Sequence, residues 1–184
     1  DAAGNIIFTQ RLGATKDGVG FAVAVDGNDN VIIAGQARGP LTTTAFGGSL
    51  DTFVTQFNSD GQEQWTRQAG PFLDDIGFSL TVDNSNNIFV AGLTRSEIGT
   101  GEGYSGGDDA FVTKLDSSGT LVYNRQFGGT GNEQYNAIAI NGSGNIFLGG
   151  NDDGNGFVQR YGDSDGASLV WQASGNLGAD GSLT

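Results

Sequence analysis

One phrase occurs three times in this chain. "FAVAVDGNDNVIIAGQ" begins at Phe21, "FSLTVDNSNNIFVAGL" at Phe78 and "NAIAINGSGNIFLGGN" at Asn136. Val25, Val82 and Ile140 hold one place in the three copies, 57 and then 58 residues apart, and Gly35, Gly92 and Gly150 keep that spacing. Two further phrases follow each copy in fixed order. The first is "DTFVTQF", "DAFVTKL" or "NGFVQRY"; the second is "QEQWTRQAG", "TLVYNRQFG" or "SLVWQASGN", with an earlier version, "NIIFTQRLG", at Asn5. A repeat of this length confines the chain to folds in which one small unit recurs and buries its apolar faces against its neighbours.

Each unit reads as four strands, a to d. In the first copy strand a (21–25) alternates large Phe21, Val23 and Val25 with small Ala22 and Ala24, which suit a crowded region where units converge. Strand b (31–34) is apolar on both faces, as in a strand covered on both sides. Strand c (52–57) is partly polar. Strand d (62–69) sets Trp65 on one face and Gln64, Thr66 and Gln68 on the other, the pattern of a half-exposed edge. The links "DGNDN", "DNSNN" and "NGSGN", and later "NSDG" and "DSSG", carry Asn/Asp/Gly turn chemistry, so Asp26, Asn28 and Asn30 are read as turn residues. No 3.6-residue periodicity is present, and βαβ units are excluded. With 33 Gly against 2 Pro, the composition suits many short strands joined by glycine turns. The predicted fold is all-β, built of β-propeller blades of four antiparallel strands, with inner strands wedged and outer strands wet.

Residues 109–150, "DAFVTKLDSSGTLVYNRQFGGTGNEQYNAIAINGSGNIFLGG", resemble the bacterial beta-propeller repeat called SBBP, found in large secreted and surface proteins, and the hairpin phrase is similar to that of NHL repeats. The resemblance extends over nearly the whole chain and implies an architecture; the family has no shared catalytic motif to carry over. The third copy departs from the pattern, because its b–c link, "NDDGN", is short where the first two are long.

Within a single propeller segment, 1–184, a leading outer strand (5–12) precedes blades at about 19–69, 76–127 and 134–173. Propellers close with about four to eight blades, so about three blades make a partial ring. Flanking blades or self-association are therefore expected to complete it, and the chain is read as a mature or excised piece of something longer.

Charge narrows the partners. The formal net charge is −13, from 21 acidic and 8 basic residues. Such a surface repels nucleic acid and anionic membranes and attracts cations. No apolar run approaches the ~20 residues that span a bilayer as a helix, so neither nucleic acid nor membrane insertion is expected. Cys, Met and His are absent, which removes disulfides, thiolate sites, the commonest general base and the commonest zinc ligand. Lack of oxidisable sulfur suits an extracellular or cell-surface setting.

In a propeller the d–a and b–c links share one face. Asp17, Asp74 and Asp180, with Asn132 in the same place, fall in d–a links, and the long b–c links 36–50 and 93–108 join them there. Asp74–Asp75 and Asp108–Asp109 are the densest acid pairs, with Asp152–Asp153 close behind. Asp17, Asp74, Asp75, Asp108, Asp109 and Asp180 are thus candidate ligands for Ca2+, which takes several carboxylate and carbonyl oxygens. The competing role is structural: Asp accepting backbone N–H groups at loop–strand junctions. Arg38, Arg95, Glu97, Glu102 and Tyr104 are the candidate partner-facing residues. Asp163-Ser164-Asp165-Gly166 is similar to the start of a calcium loop, but it falls where other copies place a c–d turn, and the turn reading is preferred. Trp65, Tyr123, Trp171 and Phe8 share one place in strand d and are read as packing between blades.

No nucleophile–base pair is recognisable, and every notable acid is a repeat position. The expected function is that of a non-enzymatic module for binding, adhesion or assembly, with protein or glycan partners. The alternative is part of a secreted propeller hydrolase or lyase whose catalytic residues lie partly outside this segment.

Overall fold

The computed structural model describes residues 3–12, 17–42, 50–69, 73–98, 100–101, 103–161 and 169–175, of which 69, 100–101 and 169–175 are described by backbone alone. All of the regular structure among them is β. The strands are β1 (Gly18–Val25), β2 (Val31–Ala37), β3 (Asp51–Phe57), β4 (Glu63–Ala69), β5 (Asp75–Val82), β6 (Ile88–Thr94), β7 (Thr100–Gly101), β8 (Asp109–Leu115), β9 (Leu121–Phe127), β10 (Glu133–Ile140), β11 (Ile146–Asp152), β12 (Asn155–Tyr161) and β13 (Leu169–Gly175). They form three sheets, ordered β1-β2-β3-β4, β5-β6-β8-β9-β7 and β10-β11-β12-β13. Each repeat is one antiparallel meander, a blade; β7 is an addition, paired parallel to the outer edge of β9.

The turns explain why the Asp/Asn places recur. Asp26 Oδ1 accepts the N–H groups of Asn28 and Asn30, Asp83 Oδ1 those of Ser85 and Asn87, and Asn141 Oδ1 those of Ser143 and Asn145. Asn58 and Asp116 do the same in the c–d turns. This side-chain bond to the residue two positions on replaces a backbone turn, which is why Asn and Asp are selected there. The register is copied too. The inner strand slips at the same repeat place in each blade, between Gly20 and Ala22, Gly77 and Ser79, and Tyr135 and Ala137. Such a bulge bends and twists a strand.

The core lies between sheets rather than within one. Ile32, Ala34 and Val54 of the first blade pack with Leu80, Ile88, Val90, Phe111 and Leu115 of the second. Phe89, Ala91, Ala110 and Val112, on the other side of the second blade, pack with Tyr135, Ile138, Ile146 and Leu148 of the third. Strand alternation divides each middle-blade strand between two seams. Strand c, partly polar in sequence, is nonetheless buried along the whole of β3, because sheets or loops cover both of its faces. Its polar groups find partners there: Thr55 Oγ1 and Thr66 Oγ1 lie 3.0 Å apart, and Gln56 Nε2 donates to Asp26 Oδ2.

The leading residues 5–12 carry no ladder, since the strand c that a strand d pairs with in its own blade is not beside them. They nevertheless occupy the outer strand's place. A Cβ on Gly61, in the first c–d turn, would lie 2.6 Å from the Phe8 ring, and one on Gly119, in the second, 2.7 Å from the Trp65 ring. Phe8 and Trp65 thus cover the c–d turn of the following blade, as the sequence reading of a packing aromatic requires. Arg67 Nε adds a bond to the Gly119 carbonyl at 2.7 Å.

One repeat place shows what each blade needs. Leu80 and Ile138, each with a blade packed in front, are 8% and 9% exposed; Val23, their counterpart in the first blade, is 66% exposed. Leu80→Ala is expected to cost about 2–5 kcal/mol, whereas Val23→Ala in the isolated chain stays within about 0.5 kcal/mol. Urea denaturation of the two variants checks this difference.

Candidate functional site

The face carrying the d–a and b–c links is built by repeated backbone bonds. The N–H of Arg38 donates to the Asp17 carbonyl at 2.8 Å, that of Arg95 to Asp74 at 3.1 Å, and that of Asp153 to Asn132 at 3.0 Å. A second set crosses between blades: the Asp75 N–H donates to the Leu50 carbonyl and the Glu133 N–H to Asp108. Side chains reinforce it, with the Leu50 N–H donating to Asp74 Oδ1 and the Asp108 N–H to Asn132 Oδ1. Asp74 and Asn132 are therefore clasps between blades, serving the structural role available to them in the sequence.

Alternation splits the two acid pairs. Asp74 and Asp108 turn to the loop face, where Arg95 sits between them, its Nη1 3.1 Å from Asp74 Oδ2 and its Nε 2.6 Å from Asp108 Oδ1. Arg95 and Asp108 stand at the two ends of the long b–c loop, so this ion pair closes the base of the loop. Asp75 and Asp109, one residue on, are buried. Asp109 Oδ2 accepts from Gln126 Nε2 at 2.9 Å and from the Ser105 N–H. Among the described residues no group of three or more acids is placed to hold a metal ion. Asp17 lies on the same face beside Arg38. Asp180 and Glu102 lie outside the described residues, as do residues 163–166.

The other candidates scatter over this face. Arg38 is exposed, as is Glu97 at the rim of a cavity described below. Tyr104 turns its hydroxyl back onto the carbonyls of Gly106 and Gly107. Two glutamines that sequence reasoning did not single out organise the loops. Gln68 donates to the Gly39 carbonyl and accepts the Leu41 N–H; Gln126, its repeat counterpart, donates to Ser96 and accepts the Ile98 N–H. The signal was available, since both long-loop copies carry Gln there while the short-loop copy carries Ser174.

Each seam also brings two acids together. Asp51 of β3 approaches Asp75 of β5, and Asp109 of β8 approaches Glu133 of β10, the corresponding strands of the next pair of blades. Burial pushes the Asp75 carboxyl up from the ordinary 3.8 to about 7, and the neighbouring Asp51 and Asp74 carboxylates add to this. The Thr94 hydroxyl opposes the shift, but its proton is donated to the Ser96 carbonyl at 2.9 Å. Glu133 is raised as well, first by burial and then by Asp152, Asp109 and Asp153, against the bond it accepts from the Gly129 N–H. Asp51 and Asp75 are 0% and 2% exposed.

Two outcomes follow. A carboxyl whose folded pKa exceeds its unfolded value takes up a proton on folding between the two, so it costs the fold stability as pH rises through that window. Asp75→Asn should therefore melt above the parent at pH 8 by the equivalent of a few kcal/mol, at ~1.4 kcal/mol per unit, with the gap closing near pH 4; thermal melts across pH 4–8 read this. Separately, Arg95→Ala leaves Asp74 and Asp108 facing each other. It should lower stability by no more than about 1 kcal/mol and gain a calcium-dependent melting shift, relative to chelator, larger than that of the parent.

Comparison with known proteins gives two findings. Residues 64–99 match the SBBP family model, a beta-propeller repeat. The chain is also 26% identical over 175 residues to the regulatory protein FlaEY of Caulobacter vibrioides, a match covering 88% of this chain and 18% of that protein. The chain thus spans less than a fifth of the length of that relative. It carries an SBBP-type repeat and folds as a set of propeller blades.

Proposed function

We propose that the chain is a non-enzymatic, extracellular or cell-surface propeller module that works by assembly and by binding through its loop face. The observation that carries this is the first blade's bare inner face. Val23 and Val25 are 66% and 60% exposed there, while Leu80 and Ile138, at the Val23 place in the later blades, are buried by the blade before. The occupant that fits is another blade of the same repeat, from flanking sequence or from a second copy, because the leading residues already place Phe8 where a preceding blade's aromatic would stand. The match to a small part of a much longer relative supports an element within a larger protein. Its description as regulatory suits a module that acts by contact rather than catalysis. Protein or glycan partners would meet the loop face around Arg38, Arg95 and Tyr104, where the clamped b–c loops present varied side chains on a fixed frame. No calcium ion is needed between Asp74 and Asp108, where Arg95 supplies the positive charge.

Sedimentation of the 184-residue chain over a range of concentrations tests the assembly. Self-association is expected, and Val23→Asp should abolish it by placing a charge in the face to be buried. A parent that stays monomeric at high concentration and gains no stability from added flanking sequence would overturn the reading. Surface labelling of the intact protein on the cells that make it tests the location.

A further inference from the structure

The seam between the first two blades contains a cavity of about 420 Å3. Its walls are apolar, from Val54, Val90, Phe111 and Leu115, and Ile98 of the long b–c loop closes one side. That wall is held in place: Asn124 Nδ2 donates to the Ile98 carbonyl at 2.8 Å, and Gln126 accepts the Ile98 N–H at 3.0 Å.

The cavity comes from departures within the repeat. The first seam carries Thr52, Gly77, Thr113 and Leu115 where the second carries Ala110, Tyr135, Gln159 and Tyr161. In the second seam the fully buried Tyr135 ring lies 5.8 Å from that of Phe127 and 5.6 Å from that of Phe157, and its hydroxyl meets Gln159. The hollow remaining there, about 370 Å3, is rimmed by the glycine-rich loop 128–131 and by Asp152 and Asp153. The first seam has no aromatic in the Tyr135 place. Gly77 is itself tightly packed, since a Cβ on it would lie 2.8 Å from Val90 Cγ1 and 2.9 Å from Thr52 Cγ2.

Two polar groups line this cavity without partners. Both carboxyl oxygens of Asp75 and the hydroxyl oxygen of Thr52 are buried and meet no hydrogen-bond partner among the described residues. Asp75 is 2% and Thr52 7% exposed. Buried polar atoms are satisfied in the great majority of cases, and an exception asks for a missing partner. The other charged residues of the lining are Glu97 and Arg67, and the Arg67 guanidinium is turned onto the carbonyls of Gly119, Thr66 and Ser118. What Asp75 and Thr52 lack is a donor, and a primary ammonium brings three. The sign of the charge follows from the surroundings: Asp51 stands next to Asp75, and the chain carries a net charge of −13. An anion would be repelled. The volume falls within the range of about 300–1,000 Å3 typical of small-molecule sites.

We propose that the first seam is a binding site for a compact apolar amine, its ammonium group held by Asp75 and Thr52 and its apolar body by Val54, Val90, Phe111 and Leu115. The site goes beyond assembly or loop-face binding and does not depend on either.

The test uses 2-phenylethylamine as probe, with 2-phenylethanol and 3-phenylpropanoate as neutral and anionic counterparts, followed by calorimetry and by amide chemical shifts in the 184-residue chain. The amine should bind saturably, shift Val90, Ile98 and Thr113, and bind about tenfold or more tightly than the alcohol. Asp75→Asn should weaken it by a similar factor. Leu115→Tyr, which copies the residue of the second seam, should abolish it. Thr113→Gln serves the same purpose should Leu115→Tyr lose its circular-dichroism signature. Absence of saturable binding, equal affinity for the alcohol, or unchanged affinity in folded Asp75→Asn would each overturn the proposal.

Discussion

Everything in this fold depends on a blade having no core of its own. A four-stranded sheet with apolar residues on both faces stays out of water only when other sheets cover both sides. Leu80 and Ile138 are buried because a preceding blade stands in front of them; Val23 is exposed because none does. At roughly 1.5–3 kcal/mol for burying such a side chain, stacking supplies the main driving force. Exposed Val23 and Val25 on β1 are what remains when one of those faces goes uncovered.

Around that constraint the repeat installs a small set of polar devices, each a response to backbone groups needing partners. Among the described residues, Asx turns close the a–b hairpin of all three blades and the c–d hairpin of the first two. Asp74 and Asn132 tie a blade to the one before it. Gln68 and Gln126 hold the long loops, and the third blade, with its short link, has no counterpart. Identical devices recur because the backbone problem recurs. The individuality of the molecule lies where the copies differ, in the length of the b–c loops and in the side chains filling the seams.

Much of this was legible in the sequence. The four-strand unit, the turn role of Asp26, Asn28 and Asn30, and the packing role of Phe8 and Trp65 all follow from residue type and equivalent position. Other features were not. Strand c reads as half polar, yet β3 is buried throughout, since alternation shows which residues share a face but not what covers that face. The two-residue β7 has no strand signal of its own and forms only because the loop runs back along β9. The acid pairs show the same limit: Asp74 and Asp75 adjoin in sequence, but the pleat sends one to Arg95 and the other into the seam.

The sequence by itself determined the building unit, its strand order, its turns and the acidity of its surface, because these depend on local backbone chemistry and on periodicity. Tertiary structure decided which acids meet. It paired Asp51 with Asp75 across a seam, set Arg95 between Asp74 and Asp108, and left Asp75 and Thr52 facing a cavity. Those outcomes depend on residues far apart in the chain being brought together as one blade packs on the next, and on Gly77 standing at the place where the following blade carries Tyr135.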